Sequence, residues 1–103
     1  MRSGDVYQVD FGSPLGSEAG FVLPAVVITD DDILESISAT FQVVPFTSTV
    51  RNWPTDVSSE WGEAQVHLIT TVSSLAAGEH LGVVGPAKLS ALREVLADVL
   101  GML

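Results

Sequence analysis

The sequence predicts a mainly β domain: a small antiparallel barrel or curled sheet, packed by one C-terminal helix. Three observations predict it. Five or six short β-type runs follow one another, separated by turn residues and with no helical period between them. The apolar period then lengthens from two to three or four residues at Leu89, Leu92, Leu96, Val99 and Leu103. With 103 residues the chain is long enough for one core and too short for two, so residues 1–103 are expected to form a single domain.

The first strand is expected over residues 5–11, with Tyr7, Val9 and Phe11 on a buried face and Val6, Gln8 and Asp10 on the other. Residues 12–20, rich in Gly, Ser and Pro, read as a loop. Residues 22–29 are almost wholly apolar, and the stretch from Ala25 reads as a strand buried on both faces, with Pro24 at its start or at an edge. Asp30, Asp31 and Asp32 break that strand, and a short helical turn over 33–38 follows with Asp32 as its cap. Residues 40–46 form the next β run, and Pro45, lacking an N–H, is expected to end the pairing or sit at an edge. After a polar loop over 47–54, a short strand over 55–58, a turn over 60–63, a strand over 64–72 and a last short strand over 81–84 are expected. Gly85 and Pro86 then open the helix, with Pro at its first position, and Gly101 ends it.

Composition narrows the function. Apolar residues make up 47% of the chain, and the mean hydropathy of +0.41 excludes a disordered chain. Thirteen acids face four bases, a net charge of −9. That argues against general nucleic-acid binding, which rests on Lys and Arg neutralising phosphates, and leaves room only for a local RNA site. The absence of cysteine excludes disulfides, Cys-ligated zinc and thiol nucleophiles. No apolar run approaches the roughly 18 residues of a membrane span. The alternation after Met1-Arg2-Ser3-Gly4-Asp5 is unlike a signal peptide, so a soluble, cytoplasmic protein is expected. The three consecutive aspartates point to different sides, with no further acid spaced to complete a cation site; neither a metal nor another cofactor is expected.

Several segments, in order, carry a resemblance. Arg2-Ser3-Gly4-Asp5-Val6-Tyr7-Gln8-Val9-Asp10 opens the chain, followed by Gly16-Ser17-Glu18 and Pro24-Ala25-Val26-Val27-Ile28. Val43-Val44-Pro45-Phe46-Thr47-Ser48 and Trp53-Pro54-Thr55-Asp56-Val57 come next, then Leu81-Gly82 and the final helix. Together they resemble the MazF/PemK family of toxin–antitoxin endoribonucleases over nearly the whole chain. The resemblance implies an SH3-like barrel of the CcdB/PemK type, a homodimer, metal-free cleavage of single-stranded mRNA at short sequences, and a cognate antitoxin whose tail blocks the RNA groove. Family members commonly carry Arg immediately before the Pro of the second strand, where this chain has Leu23. Their acid, Gln and Arg on a late strand are replaced within His67-Leu68-Ile69-Thr70-Thr71.

Cleavage of RNA by its own 2′-OH needs a base at that hydroxyl, an acid for the 5′ leaving oxygen, and a donor or cation at the phosphate. Thr47 matches the family's Thr, and Ser48 adjoins it. Arg51, four residues on, can hold a phosphate bidentately. His67 stands where the family has its acid, and an imidazole can serve as general acid or base. These suggest Thr47, Arg51 and His67 as catalytic, with Glu18, Ser48 and Trp53 contacting substrate; an exposed Trp can stack on a base. Each also has a plainer reading: turn hydroxyls for Thr47 and Ser48, solvated loop charges for Arg51 and Glu18, a hydrogen-bonded strand His67, a packing Trp53. Two functions stay open: an RNA-cleaving toxin, or a protein of the same fold that binds an antitoxin or protein target without cutting RNA. The RNA target and the antitoxin are not legible.

Overall fold

The structure, a computed structural model, describes residues 1–13, 16 and 21–102. Seven strands form one sheet in which every pairing is antiparallel. They are β1 (Asp5–Asp10), β2 (Val22–Val27), β3 (Thr40–Thr47), β4 (Asp56–Ser59), β5 (Gly62–Gln65), β6 (Thr70–Ser73) and β7 (Ala77–Val83). A short helix α1 (Asp31–Ser36) joins β2 to β3, and α2 (Pro86–Val99) closes the chain. The strand order is β4-β5-β3-β2-β1-β7, with β6 alongside the first half of β3. The predicted mainly β architecture with a C-terminal helix is therefore the one observed. No helix among the described residues is long and apolar enough to cross a membrane.

The sheet is buried on both faces. Val9, Ala25, Val27, Phe41 and Val43 pack on one side with Tyr7, Phe11 and Leu34. Val6, Val26, Val44, Phe46 and Leu92 pack on the other, beneath Leu89, Val95, Leu96 and Val99 of α2. Each fully buried aliphatic side chain contributes about 1.5–3 kcal/mol relative to exposure. This corrects the expectation for the first strand: Val6 is wholly buried rather than on a half-exposed face, because α2 covers that side.

Other expectations also change. Asp30, not Asp32, caps α1, accepting from the Asp32 N–H at 3.1 Å. Its neighbour Asp31 is drawn to the N-terminus, accepting from Ser3 N–H at 2.7 Å and from Arg2 at 3.0 Å. Pro45 does not end β3. The Ile28 N–H donates to Gln42 O at 3.0 Å, so Gln42 and Val44 direct their polar groups at β2. Pro45 then lacks its N–H on the opposite edge, between Val43, where β6 ends, and Phe46, where β5 begins. The predicted strand over 64–72 is two strands, β5 and β6, split by a 3-10 turn at Val66–Leu68 that the Ile69 N–H closes onto Val66 O at 3.1 Å. The turn before β5 is shorter than expected, since Gly62 and Glu63 already pair with β4. The last strand starts earlier, at Ala77, through pairing with β1.

α2 follows its sequence signals. Gly85 is the N-cap and Pro86 opens the helix. At the end, Gly101 takes φ 67°, its N–H bonding Asp98 O at 3.1 Å and the Met102 N–H bonding Ala97 O at 2.8 Å, the pairing of a Schellman stop. Leu103, part of the expected apolar stripe, lies outside the described residues, as does most of the predicted loop over 12–20.

Beside β7, Tyr7 meets His80 edge-on at 5.0 Å, and His80 Nε2 lies 3.5 Å from Asp5 Oδ1. Burial raises the Tyr7 phenol above its ordinary value, and the Asp5 charge adds to the rise. A raised folded-state value means that folding favours the neutral phenol. That stability is fully present below about pH 10 and is lost as pH climbs through the folded-state value. Thermal melts taken from about pH 8 to about pH 11 are expected to show an alkaline fall that Tyr7→Phe reduces while leaving the melt near neutrality almost unchanged.

Candidate functional site

The candidate residues lie on the connection from β3 to β4 and on the 3-10 turn after β5. Thr47 is the last residue of β3 and pairs with Glu63 of β5. Its Oγ1 accepts from the Thr49 N–H at 3.2 Å, so one of its roles is the plain turn contact. Ser48 is exposed just beyond. β5 approaches this strand end closely: a Cβ on Gly62, at φ 113°, would stand 2.6 Å from Thr47 O.

The connection then folds back on itself. Asn52 takes φ 57°, a region that Asn tolerates. It lets its neighbours stack, with the Arg51 guanidinium carbon 3.7 Å from the Trp53 ring centre. Pro54 follows in a turn closed by the Asp56 N–H on Trp53 O at 3.0 Å. Asp56 grips Arg51 from below, accepting from Nη2 at 2.8 and 3.0 Å and from Nε at 3.2 Å. The Asp56 side chain is only 4% exposed and that of Arg51 22%, so this pair is held largely out of water. One edge of the guanidinium is used; the Nη1 side retains donors for a phosphate.

His67 joins the cluster from the 3-10 turn. The Val66 N–H donates to Thr55 O at 3.0 Å, tying the turn to the connection. His67 Nδ1 lies 3.2 Å from Thr55 Oγ1, and its ring sits 5.6 Å from Trp53 at a 48° tilt. With Nδ1 occupied, Nε2 is the nitrogen left for a ligand. His67 also lines a groove of about 850 Å³ that runs along β6 to the end of β1, walled by Leu68, Thr70 and Val72 and bounded by Asp10 and Gly12.

The fold thus brings Arg51, Trp53 and His67 into one contact chain. Thr47 and Ser48 stand at the strand end from which the connection leaves, and among the described residues no hydrogen bond ties them to that chain. Glu18 lies outside the described residues. Sequence reasoning missed three residues. Asp56 and Thr55 orient Arg51 and His67; an acid five positions after the loop arginine was the available signal. Glu63, only 9% exposed, sits opposite both Thr47 and Ser58, with no hydrogen-bond partner for Oε2 among the described residues. Nothing in its own strand pattern marks it. No group of three or more His, Cys, Asp or Glu among the described residues is placed to hold a metal ion.

The chain matches known proteins over nearly its whole length. Residues 2–100 match the family model described as PemK-like, MazF-like toxin of type II toxin-antitoxin system. Among solved structures, the chain resembles an endoribonuclease in complex with its cognate antitoxin from a mycobacterial species, with TM-score 0.84 and 25% identity over 100% of this chain and 97% of that one. A second mycobacterial endoribonuclease gives TM-score 0.81 and 24% identity, covering 98% and 91%. MazF from Deinococcus radiodurans gives TM-score 0.84 and 21% identity, covering 99% and 97%. A comparison with curated proteins finds no match. Given a family match over almost its full length, the chain belongs to the PemK-like, MazF-like toxins of type II toxin–antitoxin systems.

Proposed function

We propose that this toxin, a single domain over residues 1–103, is a metal-independent endoribonuclease that cuts single-stranded mRNA at short sequences in the cytoplasm, acts as a homodimer, and is neutralised by a cognate antitoxin. Family membership and the mycobacterial endoribonuclease bound to its antitoxin support the class. The observation that carries the chemistry is that His67, oriented through Nδ1 and lining the groove, and the Arg51 guanidinium held by Asp56 both contact the ring of Trp53.

In this reading a ribose 2′-oxygen attacks the adjacent phosphorus and the bond from phosphorus to the 5′ oxygen breaks. The products are a 2′,3′-cyclic phosphate and a 5′-hydroxyl. His67 Nε2 moves a proton at the reacting oxygens, and the free edge of Arg51 with the Thr47 and Ser48 hydroxyls meets the charge on the phosphate. Glu18 contacts the RNA from the first loop.

Purified protein incubated with a long RNA is expected to leave 2′,3′-cyclic phosphate ends at recurring sequences, unaffected by chelator. Thr47→Ala is expected to slow cutting about 100-fold or more. Intact RNA, or cutting abolished by chelator, overturns the reading. One observation favours the alternative of a non-cutting binder: Arg51 already spends one edge on Asp56, and the position before Pro24 is Leu23, which carries no charge. Recovery of a small partner by a toxin that leaves RNA intact decides for that alternative.

A further inference from the structure

The four basic side chains of this acidic chain are all engaged. Arg2 pairs with Asp31 at 3.0 Å, and Arg51 is gripped by Asp56. Lys88 donates to Ser58 O, and Arg93 donates to Ser3 Oγ at 2.8 Å. Of these, only Arg51 stands at the candidate site. Two of the four cations are already paired with carboxylates and the chain carries a net charge of −9, so phosphate neutralisation gives single-stranded RNA little hold here and another contact must add to its binding energy. The other general source for an unpaired strand is stacking of bases on aromatic rings.

Trp53 is built for that contact. The guanidinium covers one face of its ring at 3.7 Å and is itself anchored by a nearly buried carboxylate. Half of Trp53 nevertheless stays exposed, at 50%. The side chain is thus open to solvent although the guanidinium lies over its ring. His67 lies 5.6 Å from that ring at a 48° tilt and lines the groove.

We infer that Asp56, Arg51 and Trp53 form a pre-assembled platform on which one unpaired RNA base stacks, presenting the ribose of that nucleotide to His67. Trp53 is thus a substrate-binding residue, and RNA binding is led by stacking rather than by charge. This rests on the RNA-cleaving reading above and adds what positions the nucleotide. The cation–π contact keeps the indole in place before RNA arrives, so little side-chain freedom is lost on binding.

The test uses an oligoribonucleotide that carries a cleaved sequence, made uncleavable by 2′-O-methyl groups, with 2-aminopurine moved along it one position at a time. One position is expected to be quenched strongly by the wild-type protein. Trp53→Leu, which stays apolar without a flat ring, is expected to lose that quench and raise Kd about tenfold to hundredfold, with Trp53→Phe between. The slope of log affinity against log salt is expected near −0.7, the value for about one phosphate contact. Wild-type affinity in Trp53→Leu, with thermal melts confirming that it is folded, overturns the platform. So does a slope of about −2 or steeper, which means about three or more phosphate contacts. A 2-aminopurine that the wild-type protein leaves unquenched at every position likewise overturns it. A wild-type protein that cuts no RNA defeats the catalytic reading instead, a result read in the cleavage assay and not in these binding curves.

Discussion

Asp56→Ala is expected to cost about 2 kcal/mol of unfolding free energy in urea titrations and to reduce RNA cleavage about 100-fold or more. Breaking a fully buried ion pair by deleting one partner costs about 3–5 kcal/mol, because the other charge stays buried and unpaired. Here the Arg51 side chain is 22% exposed and can turn toward water, which lowers the cost. The activity loss has a separate origin. Without Asp56 the guanidinium leaves its position over Trp53, so the phosphate donor and the aromatic ring lose their orientation together. Asp56→Asn preserves the shape but donates from one of the two atoms that now accept from Arg51, and it is expected to fall close to Ala in activity. Wild-type cleavage by a folded Asp56→Ala protein would show that Arg51 needs no anchoring.

Gly62→Ala carries the second large effect. A side chain at φ 113° is strained by about 1–2 kcal/mol. The added methyl would also stand 2.6 Å from Thr47 O, a backbone atom with no rotamer by which to escape. Relief requires β5 to move away from β3, at about 1–3 kcal/mol more. The sum, about 3 kcal/mol, is a large part of the stability of a domain of this size. The movement also shifts Thr47 and Glu63, which face each other across that pairing. The expected result is a lower urea midpoint together with loss of cleavage. Gly85→Ala is the control, since a Cβ there meets nothing within 4 Å and the N-cap keeps a negative φ of −70°.

How far the site can be read from the chain varies with distance along it. Thr47, Ser48, Arg51 and Trp53 lie within one polar stretch between two apolar runs, so their closeness is legible in the order of residues alone. His67 requires the fold: it reaches Trp53 because a 3-10 turn, where a continuous strand was expected, redirects the chain after β5. The turn escapes sequence reading because Ala64 to Leu68 alternates well enough to pass for a strand, while its fate is settled by the Val66 N–H finding Thr55 O instead of a strand partner. The groove is hidden for the same reason, its walls coming from the turn, from β6 and from the end of β1.

Local pattern is enough for the mainly β class with its closing helix, for the start of α2 at Gly85 and Pro86 and its stop at Gly101, and for the family. Each of those depends on residues within a few positions of one another, or on motifs recurring in a set order. The partner that each polar group takes is a matter of three-dimensional packing. Asp56 beneath Arg51, Glu63 opposite Thr47, and Asp30 rather than Asp32 as the helix cap follow from strand register and from the path of a loop. Those choices rest on contacts worth about 1 kcal/mol each, settled by which strand lies alongside, and no local pattern records that. The acidity of the chain keeps its meaning in a sharper form: with Arg2 and Arg51 already paired with carboxylates, little charge is left to grip an RNA backbone, and stacking of a base on Trp53 is the proposed source of the missing affinity.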